Sequence, residues 1–170
     1  MKTQEIQPGR TYHDGKQGVR EVLCVEGDHV RYRLLAAKVE RQFDALGGEK
    51  SLLGAETSMT LSAFAAWAKV GYDAQEAALI LLALKAATIK LSPGEAAFLE
   101  SVWAEALGTP VMEGTLVSYD HTEGRAMSGL EKKGLLRRVG EGEVCLLALG
   151  AARIRQPAES NLARARGFKP

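Results

Sequence analysis

Three histidines each stand beside an aspartate in this sequence, as His13-Asp14, Asp28-His29 and Asp120-His121. A carboxylate next to an imidazole is the kernel of acid–base catalysis, but only when the fold turns one toward the other and brings in a nucleophile. Chain neighbours rarely present that geometry, so His29 is read as a turn residue and His13 as a loop residue. Cys24 and Cys145 fall in predicted strands, away from the helix starts and basic pockets that lower a thiol pKa, and are read as small apolar residues. No spacing of Cys and His suits zinc, and neither a GxxxxGK[ST] loop nor a Gly-rich strand-to-helix turn is present. The expectation is a protein that is not an enzyme, needs no cofactor or metal, and has no evident small-molecule ligand.

A second set of residues points to recognition rather than reaction. If Thr122 or Asp120 caps a helix running to about Lys133 and stopped by Gly134, then Ala126, Met127 and Leu130 face a core. His121, Thr122, Arg125, Ser128 and Lys132 then share the outward side. Such a row of donors can read base edges or hold phosphates: Arg125 can grip guanine bidentately, while Lys133, Arg137 and Arg138 would hold the backbone.

The charge distribution agrees. The 170 residues carry a formal net charge of only +1, which gives no global attraction to polyanions. Residues 121–170 nevertheless hold 10 basic and 5 acidic side chains, against 4 and 9 in residues 48–120. The basic excess lies where the donor row lies. Beyond it, Arg153, Arg155, Arg164, Arg166 and Lys169 make the end of the chain a basic tail.

The elements that would position these residues follow from pattern. GVREVLCV and HVRYRLL form a hairpin about Gly27-Asp28, with Val25 opposite Val30 and Leu23 opposite Tyr32 on the core side. Arg20, Val22, Cys24, Arg31 and Arg33 are then the outer face. PGRTY is a short opening strand, and SMTLSAFAAWA a closing strand with a helical tail. From Gln75 to Lys90 there is no Gly or Pro, Asp73 can cap, and the apolar run AALILLAL is far below the roughly 20 residues that span a bilayer. Ser92, Pro93 and Glu95 open a further helix extending to Leu107. The segment VMEGTLVSYD fits either class.

Helix, glycine stop, strand LLRRV, a Gly-Glu-Gly tip and strand EVCLLAL then succeed one another. The phrase GLEKKGLLRRV resembles the winged helix-turn-helix pattern, in which a recognition helix ends in Leu-Glu-Lys-Lys-Gly-Leu and runs into the wing. The resemblance covers residues 92–154 and implies DNA contact through the helix. Three features depart from the pattern: Glu123 replaces an apolar residue, Gly124 and Gly129 each cost a helix about 1 kcal/mol relative to Ala, and Glu141 and Glu143 make the wing tip acidic. Residues 8–68, with a short strand, a long hairpin and a closing aromatic segment, resemble small SH3-like barrels.

The expected fold class is therefore α+β: an SH3-like β barrel (1–68), a unit combining a central apolar helix with a winged-helix-like part (69–155), and a basic tail (156–170). The expected function is that of a cytoplasmic, non-enzymatic DNA-binding or transcription-regulatory protein of bacterial or phage type. Thr122, Arg125, Ser128, Lys132, Lys133, Arg137 and Arg138 form the contact set for double-stranded DNA. A homodimer through helix 74–89 would cover that helix's spare face, and no membrane is involved. The rival expectation is a protein-interaction adaptor in which barrel and winged helix are scaffolds.

Overall fold

The computed structural model describes residues 1–43 and 47–154, so the tail at 156–170 lies outside the described residues. These residues form an α+β chain of antiparallel sheets and five α-helices. Two compact units divide between Leu81 and Leu82.

In the first unit, β1 (Thr11–His13) pairs with β2 (Val19–Glu26), which turns into β3 (His29–Ala36). Gly27, at φ +58°, occupies the first central position of the two-residue turn, the place in a type II′ turn that only glycine fills without strain. A ribbon of β4 (Arg41–Phe43) and β5 (Glu49–Ser51) follows, and then β6 (Glu56–Thr60) returns along β3. Helix α1 (Leu61–Trp67) starts where Thr60 Oγ1 accepts from the Ala63 amide, and β7 (Val70–Tyr72) comes back to pair with β1. The sheet order is β6-β3-β2-β1-β7, and no pairing between β6 and β7 closes it among the described residues. Phe64 is fully buried at the centre of the core, with ring centroids 5.5 Å from Tyr12, 5.6 Å from Tyr32 and 5.3 Å from Trp67.

The hairpin's inner and outer faces differ from the alternation read along β2. Val25 does lie opposite Val30, but Tyr32 lies opposite Val22, because a bulge between Val22 and Cys24 leaves Leu23 without a facing residue. One extra residue flips the side-chain alternation on its far side. Val22 is therefore fully buried rather than outward. Arg20, two residues earlier, shares its face and lies with its guanidinium carbon 4.0 Å from the Trp67 ring centroid and 4.6 Å from that of Tyr32. Arg33 bridges Glu21 and Glu56. The expected basic outer face is thus reduced to Arg31.

Helix α2 (Ala74–Thr88) begins with Asp73 and Glu76 in reciprocal bonds and contains the division between the units. No helix among the described residues is long and apolar enough to cross a membrane.

The second unit continues with α3 (Pro93–Glu105), entered through a full capping box in which Ser92 and Glu95 bond each other's amides. The helix stops two residues short of Leu107, which sits at φ +47° and is 91% exposed instead of forming an apolar helical position. The segment of ambiguous class holds a Gly114 turn and strand β8 (Leu116–Ser118). A 3₁₀ turn (His121–Glu123) leads into α4 (Gly124–Lys132), then β9 (Leu136–Gly140), β10 (Glu143–Leu146) and α5 (Ala148–Ile154). The sheet order is β8-β10-β9. Its core gathers Phe98, Leu99 and Val102 from α3, Met127 and Leu130 from α4, and Leu135, Leu136, Val144 and Leu146 around the sheet.

Candidate nucleic-acid interface

Helix α4 is shaped at both ends by its own sequence. At its entry Asp120 Oδ1 accepts from the Thr122 amide (2.6 Å), and the Asp120 amide donates to Glu123 Oε2 (3.0 Å). Glu123, out of place in a uniform helix, is the reciprocal member of this capping box. At the exit Gly134, at φ +68°, lets the Leu135 amide reach back to the Leu130 carbonyl (3.0 Å). This is a Schellman closure, and its two leucines are both fully buried, as that motif's hydrophobic contact requires.

Between these ends the seven candidates take three different places. Arg125, Ser128 and Lys132 follow one helical stripe, with Arg125 and Lys132 exposed. Arg138 is laid against the same helix: its Nη2 donates to Ser128 Oγ (2.7 Å) and to the Gly124 carbonyl (3.4 Å), and its Nε is 3.7 Å from Glu131. Ser128 Oγ in turn donates to the Gly124 carbonyl (3.0 Å). Thr122 commits both its hydroxyl and its amide to Asp120, and these bonds hold the Asp120 carboxyl below its ordinary range.

Lys133 and Arg137 stand apart from that stripe. Lys133 Nζ lies 2.5 Å from Glu95 Oε2 of α3, and Glu95 is only 4% exposed. Burial pushes the Glu95 carboxyl up, but hydrogen bonds from Lys133 and Ser92 outweigh it and hold the group below its ordinary value. Gly129 explains how the two helices come so close. A Cβ at that position would overlap the Glu95 carboxylate, so the glycine is a contact surface for an ion pair. Arg137 is opposite Cys145 in the ladder and Arg138 opposite the buried Val144, so strand alternation puts the two arginines on opposite faces of the sheet. At the tip, Glu143 pairs with Gly140 next to a register shift.

Acid–base and thiol groups are placed as follows. Asp28 Oδ1 does reach His29 Nδ1 (2.6 Å), contrary to the expectation for chain neighbours, but both are exposed on the hairpin turn. His13 is fully buried; its Nδ1 accepts from the Gly15 amide (3.1 Å), and burial lowers its pKa. Cys24 donates to Glu26 Oε1 (3.2 Å), a bond that raises the thiol pKa and disfavours the thiolate. No three His, Cys, Asp or Glu side chains among the described residues are grouped to hold a metal ion. The second unit also carries an apolar hollow of about 250 Å³, lined mainly by Leu91, Ala96, Leu99, Trp103 and Ile154, with Glu100 and Arg153 among its walls.

Compared with protein-family models, curated proteins and solved structures, the chain gives no match.

Proposed function

We propose that this chain is a non-enzymatic, DNA-binding regulatory protein of bacterial or phage type, acting in the cytoplasm, that meets duplex phosphates through the outer stripe of α4. The observation that carries this reading is that stripe: Arg125 and Lys132 exposed, one helical side apart from the core leucines, with Arg138 laid across the same helix. The order helix, strand, helix, strand, strand with a β8-β10-β9 sheet supports a winged-helix-like second unit. A β6-β3-β2-β1-β7 order with a helix before the last strand supports an SH3-like first unit, built as an open sheet. In this reading α4 contacts the backbone while the wing, with Glu141 and Glu143 beside its turn, stays off it.

Three phosphate contacts predict a log–log salt slope of roughly −2.7. Titration of duplex DNA at several salt concentrations tests this. Arg125→Ala and Lys132→Ala should each weaken binding and flatten the slope by about one. Absence of binding at low salt, or a slope that neither substitution changes, would sink the proposal. Arg137→Ala, on the other sheet face, should leave the slope alone.

The adaptor reading has one observation in its favour: Trp103, 37% exposed, borders the apolar hollow of the second unit. A folded partner captured by this unit and released by Trp103→Ala, with DNA binding absent, would favour it.

A further inference from the structure

The connection from β3 to β6 is a projecting arm. At its base the Leu34 amide donates to the Ala55 carbonyl (3.0 Å) and the Gly54 amide to the Leu34 carbonyl (2.8 Å). Further out, the Leu52 amide donates to the Glu40 carbonyl (2.8 Å), and β4 pairs with β5, Arg41 opposite Ser51 and Phe43 opposite Glu49. Every residue of these two strands is exposed. Facing residues share one side of a ribbon, and alternate residues return to it. Arg41, Phe43, Glu49 and Ser51 therefore lie together, and the same register carried one step toward the base adds Val39 and Leu53. Phe43 is 68% exposed, Val39 62% and Leu53 38%. A two-stranded ribbon without cover is marginally stable in water, and apolar side chains gathered in this way mark a contact surface.

The charges on this side select what covers it. Arg41 Nη1 lies 2.6 Å from Glu49 Oε1, so one cation and one anion sit side by side among the apolar residues. A polyanion or acidic peptide that gained at Arg41 would lose at Glu49, and a basic partner would do the reverse. A second copy of the same ribbon matches both. Turned about a twofold axis parallel to the strands, β4 of one copy lies over β5 of the other, which brings each Arg41 next to the opposite Glu49 and packs Phe43, Val39 and Leu53 together. We propose that two copies of this chain associate through this face of the arm. Helix α2, the other self-association surface considered, offers a single strongly exposed large side chain, Leu79. The proposal stands independently of the nucleic-acid reading.

The patch is small, so the association is weak and reversible. Sedimentation velocity of the full chain, from low micromolar to high micromolar concentration, should show a monomer–dimer equilibrium. Phe43→Ser should raise its dissociation constant by about tenfold, the equivalent of some 1.4 kcal/mol of lost apolar contact. Arg41→Glu makes the face doubly acidic and Glu49→Arg makes it doubly basic. Each variant alone should dimerise less than the parent, and an equimolar mixture of the two should recover dimer, which pairing within one chain cannot do. Circular dichroism confirms that these exposed substitutions leave the fold intact. A chain that stays monomeric throughout, a dimer indifferent to Phe43→Ser, a mixture that fails to recover, or a dimer lost instead in Leu79→Ser each overturns the proposal.

Discussion

Lys133→Met separates a structural from a nucleic-acid role for the one candidate cation that the fold turns inward. It removes the ammonium 2.5 Å from Glu95 while keeping an unbranched stem of similar length. Stripping one partner from a buried ion pair costs about 3–5 kcal/mol when both groups are fully enclosed. Here the Lys133 side chain is 32% exposed, and the Ser92 amide still donates to Glu95 at 2.6 Å, which brings the expected loss to about 2–3 kcal/mol. The pH dependence gives a second, independent signature. In the parent, Glu95 titrates below its unfolded value, so its contribution is full above the ordinary carboxylate range, about pH 4.3, and is lost as pH falls through the folded value. With Lys133 gone, burial gains the upper hand, the folded pKa moves upward, and this support at neutral pH disappears. Urea unfolding at pH 7 and pH 4 should therefore show a larger deficit at pH 7. Glu95→Gln combined with Lys133→Met should recover most of it, because no charge is then left unpaired. A deficit under about 0.5 kcal/mol, equal at both pH values and accompanied by weaker DNA binding, would refute the pairing argument and return Lys133 to the contact set.

Other substitutions probe the same packing. Gly129→Ala should gain about 1 kcal/mol in helix propensity yet lower stability overall, since its methyl displaces the Glu95 carboxylate; thermal unfolding reads the sign. Gly150→Ala should cost more, about 2 kcal/mol or above, because the obstacle is the Leu135 carbonyl rather than a movable side chain. His13, whose pKa burial lowers, should make stability fall as pH drops below the ordinary histidine range, about 6.5, toward the folded value, and His13→Phe should flatten that part of the profile. Arg20→Ala should lose about 1–2 kcal/mol of stacking between Trp67 and Tyr32, measured by urea unfolding, with tryptophan emission reporting the changed ring environment.

Local chemistry was the legible part of this chain. Gly27, Ser92 with Glu95, Asp120 and Gly134 each announce a turn or cap, because the groups they satisfy lie within a few residues. Met127 and Leu130 followed from helical spacing for the same reason. Sequence could not place what depends on a partner far along the chain. Lys133 and Glu95 are 38 residues apart, and nothing in GLEKKGL distinguishes Lys132, which faces solvent, from Lys133, which does not. The bulge at Leu23 has no marker in VREVLCV, yet it decides whether Arg20 is a surface charge or part of the aromatic core. Arg137 and Arg138 looked like one basic pair only because adjacency in sequence was taken for adjacency in space.

The return of β7 to β1 bears on how this chain is made and handled. Thr11 waits for Tyr72, and His13 for Val70, so the first sheet is complete only after some sixty further residues have been synthesised. Until then β1 presents a bare row of amides and carbonyls, the kind of edge that recruits strands from other molecules. A fragment cut at residue 68, the natural choice from sequence, would keep that edge permanently open, whereas one carried past Tyr72 closes it.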